Sequence, residues 1–167
     1  MVITPEARQI SLRRFTPTAL VEVAPWFDDP ETLRWLGGHD WPENLLHLIA
    51  DPPREHRGSA VSERAGWIAT FGGEDVALVD TEIYADNTAA IALVVAPEHR
   101  FRGFGAATLV ATGELLARSF GVELLVGGVQ TNNTASTRCV QAAGFVAASE
   151  TPDDEGFIEY VLRLARS

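Results

Sequence analysis

The run Arg100-Phe101-Arg102-Gly103-Phe104-Gly105-Ala106 carries the most chemistry in this chain. It follows an apolar run at residues 89–95, and a stretch with helical spacing comes after it, so the expected local order is strand, turn, helix. Such a turn gathers unpaired backbone N–H groups at one point, where the positive end of the helix dipole adds to them. That is an anion seat. Two flanking arginines favour a phosphate over a lone carboxylate, because guanidinium forks match phosphate oxygens bidentately. A dinucleotide fingerprint would need a third glycine where Thr108 stands, and a P-loop would need a Gly-Lys-Ser/Thr ending, which the sequence lacks.

A second segment supports the first. Asn133-Thr134-Ala135-Ser136-Thr137-Arg138-Cys139-Val140-Gln141-Ala142-Ala143-Gly144-Phe145 reads as a turn, a helix and a Gly-Phe stop. The Arg-x-x-Gly-x-Gly segment, preceded by Val94-Val95-Ala96-Pro97-Glu98-His99, resembles motif A of the GNAT superfamily of acyl-CoA-dependent N-acyltransferases. The Asn133 segment resembles its motif B, and the Ser-x-Arg variant at Ser136 is most similar to the branch containing ribosomal-protein N-terminal acetyltransferases. The resemblance covers about half the chain. It implies an α/β GNAT fold of three layers: a mostly antiparallel central sheet, splayed in the middle and flanked by helices.

The resemblance also implies acetyl-CoA as cosubstrate, no metal, and a set of roles. Backbone groups of Val94 and Val95 would hold pantetheine and the thioester carbonyl. The N–H groups of Phe101, Arg102, Gly103, Phe104, Gly105 and Ala106 would hold the pyrophosphate, with the Arg100 and Arg102 side chains nearby. Asn133 would bond the pantetheine arm, and Ser136 would lie near the cofactor sulfur. Each has a plainer structural reading: a helix entry for the glycines, a cap for Asn133, a first-turn hydroxyl for Ser136.

Two departures from the family limit the mechanism. Many relatives carry a tyrosine acid four residues before the motif B glycine, where this chain has Val140. Many carry a glutamate base near the start of the strand before motif A, where this chain has Ala89, Ala90 and Ala92. Glu82 and Ser136 are the catalytic candidates that remain, with Tyr84, Asp86, His39 and Asp40 as substitutes. Cys139, mid-helix and next to Val140, reads as a packed residue and not as an acyl-carrying nucleophile. Trp26, Phe27, Trp35 and Trp41 bracket residues 37–40 and read mainly as core, with one or two free to wall an acceptor site.

The elements that must position these residues follow from periodicity. Strands are expected at residues 9–15, 67–71, 76–84 and 89–95, the last three forming an antiparallel meander. The run at 89–95 is apolar enough to be covered on both faces. Helices are expected from Thr18 to about Phe27, after Asp28-Asp29-Pro30-Glu31 up to Gly37-Gly38, and from Pro42 through Ile49, with loop to Ser59. A helix at 105–120 ends at Gly121, a strand follows at 123–129, and strands at 146–149 and 157–164 close the sheet. A single domain over 1–167 is expected.

Composition restricts the partners. The 167-residue chain has a formal net charge of -10, all 13 basic residues are arginine, and there is one cysteine. An acidic surface opposes nucleic-acid binding and suits a cationic amine acceptor. No apolar run reaches the roughly 20 residues of a membrane span. A cytoplasmic protein is expected. An exposed sheet edge offers a route to a homodimer. The expected activity is transfer of acetyl from acetyl-CoA to a primary amine of a small molecule or peptide, by direct attack in a ternary complex. The alternative is an acyl-CoA-binding sensor without turnover.

Overall fold

A computed structural model of the chain describes residues 4–36 and 38–165. The strands are β1 (Ser11–Arg14), β2 (Glu55–His56), β3 (Ser59–Phe71), β4 (Glu74–Tyr84), β5 (Thr88–Val95), β6 (Leu124–Gln130), β7 (Val146–Ala147) and β8 (Phe157–Arg163). The helices are α1 (Leu20–Val23), α2 (Pro30–Leu36), α3 (Trp41–Ala50), α4 (Phe104–Phe120) and α5 (Thr134–Ala142). One sheet runs in the order β1-β3-β4-β5-β6-β8-β7, with β2 paired to β3. Every pairing is antiparallel except that of β5 with β6. This is the open, mostly antiparallel sheet that the sequence implied.

The parallel pairing is also where the sheet opens. It holds only from Thr88↔Leu124 to Ala90↔Val126; beyond that, β5 continues to Val95 and β6 to Gln130 without pairing to each other. Past Ala90 and Val126 the ladder between the two strands ends, leaving a gap toward their carboxyl ends. Five further residues of β5 give the gap a length of about 17 Å at the usual rise per residue.

Strand alternation sorts side chains to two faces. Ile68, Leu78 and Val94 pack against Phe15, Val23, Phe27 and Leu45 beneath α1 and α3. Trp67, Val79, Ile91 and Leu125 pack against Leu109 and Leu116 of α4, with Cys139 and Val140 of α5 on the same side. Complete burial of a side chain such as Phe27, Leu78 or Leu116 stabilises by about 1.5–3 kcal/mol.

Several expectations need correction. The helix expected from Thr18 to Phe27 is broken into 3-10 turns around a four-residue α1, because Pro25 cannot donate to the ladder. The loop expected up to Ser59 contains a tight hairpin: β2 pairs with the start of β3 across Arg57 and Gly58, which both take left-handed backbone (φ 53 and 78). β3 is accordingly 13 residues long. β5 is not covered on both faces, since Ala92 is exposed. β7 is shorter than expected, at two residues. The expected stop of α2 at Gly37-Gly38 falls partly on Gly37, which lies outside the described residues; Gly38 is not helical.

Candidate active site

On the α4 side, β5 ends at Val95, a 3-10 turn covers Pro97–His99, and the chain then reverses into α4. Phe101 takes left-handed backbone (φ 60) with its ring 88% exposed, and Gly103 does the same (φ 87) at the helix start. For a phenylalanine that conformation is strained, and it turns the loop sharply enough to aim its amides together. The first α4 ladder bond runs from Ala107 N–H to the Gly103 carbonyl at 3.2 Å, so the amides of Phe104, Gly105 and Ala106 precede the ladder. The strand, turn and helix expected around these residues are present in that order.

The two arginines of this turn also contact protein groups. Arg100 donates from Nη2 to Asp29 at 2.8 Å and to the Thr32 hydroxyl. Asp29 also caps α2, accepting from Thr32 N–H at 3.0 Å; that bond first and Arg100 second hold its carboxyl below the usual range. Arg102 approaches His99 Nδ1 at 3.3 Å and stacks over the buried Phe104 ring at 5.2 Å. It faces an open cleft of about 520 Å³ lined by Glu22, Glu74, Asp75 and Glu98. Both arginines thus have protein partners. Gly105 also has a packing reason: a Cβ there would lie 2.6 Å from Cys139 Sγ, so its hydrogen lets α5 close on α4.

α5 begins at Asn133, whose side-chain oxygen accepts from Ser136 N–H at 3.1 Å. The capping role read from the sequence is therefore filled by Oδ1, and only the Nδ2 end of that amide is left for a ligand. Ser136 is half-buried in the first turn and makes no hydrogen bond through Oγ among the described residues. Burial pushes the Cys139 thiol up to about 11, which leaves almost no thiolate at neutral pH.

The opposite face holds a charged cluster. Arg64 on β3 sits opposite Glu82 on β4, and Asp80 follows two residues along on the same face. The Arg64 guanidinium binds Asp80 bidentately at 2.7 and 2.8 Å and Glu82 Oε2 at 2.5 Å. Glu82 Oε1 accepts from Tyr84 Oη at 2.6 Å and contacts His56 Nδ1 from the β2–β3 hairpin. The Glu82 side chain is only 4% exposed. Burial pushes its pKa up, but hydrogen bonds from Tyr84 and His56 and the Arg64 charge outweigh that and hold it below its ordinary value. Burial, then Glu82, push the Tyr84 phenol above its ordinary value.

The hairpin carrying His56 is tied down at three points. His56 meets Glu82, Arg57 pairs with Glu159 of β8, and Ser59 donates to Asp86 at 3.0 Å. Since β8 lies three strands beyond β4 in the sheet, the Arg57 contact carries the hairpin over the face that contains Ala90 and Ala92. Glu82 pairs in register with Ala90, the last β5 residue before the gap. The cluster therefore stands level with the apex of the gap.

Glu82 and Ser136 are consequently on opposite faces of the sheet, and the gap is what connects those faces. Tyr84 is tied to Glu82, and Asp86 is committed to its turn through Thr88 N–H (3.1 Å) and Oγ1 (2.6 Å). His39 pairs with Asp28 at 3.8 Å on the surface, and Asp40 is an exposed helix-start residue. Trp26 and Phe27 are core, and Trp41 stacks on Phe27 at 5.6 Å. Trp35 donates to Glu31 at 3.1 Å along α2. The sequence did not point to His56 or Arg64, because both lie in the stretch read as loop or strand approach. The available signal was Asp80, Glu82 and Tyr84 at alternate positions of one strand, a buried polar row that requires partners. Among the described residues no group of His, Cys, Asp and Glu could hold a metal, and no helix is long and apolar enough to cross a membrane.

Comparison with known proteins agrees with this layout. Aminoglycoside acetyltransferase AAC(6')-Ib, solved in complex with coenzyme A, superposes with a TM-score of 0.74 at 18% identity, covering 92% of this chain and 94% of that one. Spermidine N-acetyltransferase from Vibrio cholerae, solved with CoA and spermine, gives 0.73 at 13% identity over 94% and 96% of the two chains. These likenesses establish the fold. In sequence, 81 residues (48% of this chain) are 31% identical to the uncharacterized N-acetyltransferase YfmK of Bacillus subtilis strain 168, and the match spans 53% of that relative. Residues 9–146 match the family described as acetyltransferase (GNAT) domain, and since that match takes in both the anion seat and the charged cluster, the chain belongs to this family.

Proposed function

We propose that the protein transfers an acetyl group from acetyl-CoA to a primary amine, by direct attack while donor and acceptor are bound together. The observation that carries this reading is the gap between β5 and β6, which runs from the amides at the α4 N-terminus to the polar cluster beside Ala90. A phosphate-bearing donor held at the amides of Phe101 to Ala106 extends its arm along Val94 and Val95. Its reactive end then arrives near the apex, about 17 Å away. Ser136 and the Nδ2 of Asn133 border this arm from α5, and Arg100 and Arg102 add positive charge at the phosphate end. Backbone positioning of this kind supplies much of the catalysis, because the donor already carries the activated acyl group.

The acceptor approaches the face that carries Glu82 and Glu159, where Ala90 and Ala92 leave room above the sheet. Acidic side chains there and the net charge of -10 favour a cationic amine. Small polyamines and amino sugars are one acceptor class. The Ser136-Thr137-Arg138 variant keeps peptide N-termini, as in the ribosomal-protein branch, as the other. A cytoplasmic site of action, with its supply of acetyl-CoA, fits both.

Calorimetry with CoA is expected to show binding that Gly103→Glu abolishes and Arg100→Ala weakens. A thiol-release assay over a panel of amines is expected to show amine-dependent turnover. Absence of CoA binding at millimolar concentration would overturn the reading, and binding without amine-dependent thiol release would leave a sensor in its place.

A further inference from the structure

We propose that His56 is the general base of this acetyltransferase, with Nε2 taking the proton from the acceptor amine while Glu82 holds the imidazole through Nδ1. This rests on the acetyltransfer reading above. An ionised carboxylate can only accept a hydrogen bond, and Glu82 is held ionised by Arg64 and Tyr84. The hydrogen of the neutral ring is therefore on Nδ1, and Nε2 keeps its lone pair. The His56 side chain is 58% exposed, and Nε2 makes no hydrogen bond among the described residues. A buried carboxylate, an oriented imidazole and an accessible ring nitrogen make up a base with its positioning group.

The charge balance of the cluster agrees. Arg64 supplies one positive charge against the two carboxylates Asp80 and Glu82, so the cluster that faces the imidazole carries a net negative charge. Arg57 and Glu159, the other charged pair that reaches the hairpin, cancel each other. Glu82 itself is unsuited to be the base, because both carboxylate oxygens are already engaged. The location is also right, since Glu82 is in register with Ala90 at the apex of the gap.

The step balances as follows. The acceptor ammonium gives one proton to Nε2, and the freed nitrogen lone pair forms the new C–N bond to the thioester carbonyl carbon. The C–S bond breaks with its electron pair leaving on sulfur. The second proton shed by the nitrogen ends on that sulfur, and the imidazolium returns its own proton to water.

Nitrogen-15 NMR of the unliganded protein tests the placement, and steady-state kinetics test the role. The neutral His56 ring is expected as the Nδ1–H tautomer, with Glu82→Gln lowering that preference. His56→Ala and His56→Gln are expected to lower kcat about 100-fold or more, to remove the rising acidic limb of the pH profile and to leave CoA affinity within about twofold. Glutamine retains a donor for Glu82, so a purely structural role would be rescued by it and a base would not. A dominant Nε2–H tautomer overturns the proposal, as does His56→Gln with the kcat and pH profile of the wild type. If the wild type itself transfers no acetyl group to any amine, the acetyltransfer reading fails and the base falls with it.

Discussion

Beneath α4 the central sheet is apolar, with Trp67, Val79, Ile91 and Leu125 packed on Leu109 and Leu116. On its other face, level with the same strands, Arg64, Asp80, Glu82 and Tyr84 satisfy one another, Glu82 and Tyr84 buried and Arg64 and Asp80 half-buried. The first surface is held by area and tolerates graded change, because each contact contributes a little. The second is held by mutual neutralisation, and losing one member leaves the others buried without partners. In the proposed reaction a donor would be gripped from the forgiving side, by backbone, and chemistry would fall to the unforgiving side, by side chains.

The largest effect expected from testing this contrast is that of Arg64→Ala, which strands the buried carboxylate of Glu82 and the half-buried one of Asp80. It should cost about 3–5 kcal/mol in urea unfolding, far more than removal of an exposed arginine such as Arg8. A loss below 1 kcal/mol would show that the polar face is as forgiving as the apolar one. Next comes Gly105→Val, which forces side-chain atoms against Cys139 at a site where even a Cβ would be 2.6 Å from sulfur. Overpacking of that kind costs about 1–3 kcal/mol, and CoA affinity should fall with it as α5 moves off α4. Unchanged CoA calorimetry for a folded Gly105→Val protein would separate that seam from donor binding.

Glu82→Gln should destabilise by about 1.5–3 kcal/mol at neutral pH, the usual worth of hydrogen bonds to a charged group. The sign of its pH dependence is fixed by the lowered carboxyl. Its contribution is fully present above the unfolded carboxylate value near 4.3 and disappears as pH falls through the lower folded value. Wild type and variant should thus differ in urea unfolding at pH 7 and converge in acid, and a gap that widened in acid would contradict the assignment. The smallest effect is a gain. Among the described residues Thr108 Oγ1 is buried without a partner, so Thr108→Val should stabilise by about 1 kcal/mol, measured as a raised midpoint.

The same contrast explains what could be read from the chain. The donor side is local: residues 100–106 and 133–145 each form a continuous turn and helix whose glycines, Asn cap and periodicity stand together in sequence. The sheet order could be anticipated because the meander and its turns, Gly72-Gly73 and Asp86-Asn87, carry left-handed residues where the hairpins need them. The polar cluster is nonlocal. His56 and Glu82 are 26 residues apart, and they meet only because Arg57 and Gly58 turn a segment without apolar alternation into a hairpin. Hydrophobic periodicity carries no information about such a segment. Side-chain direction was equally hidden: Arg100 sits where expected in the chain, yet its fork is turned to Asp29.

That last contact would make the proposed donor seat a site of competition. Asp29 is a tethered anion, and its effective concentration at Arg100 is set by the fold and not by the buffer. Any phosphate that engages the Arg100 fork must share it or evict a carboxylate that also caps α2. Donor affinity at the proposed seat would therefore contain the stability of a helix start 71 residues away in sequence, and donor binding and order in the N-terminal helices would be two readings of one equilibrium.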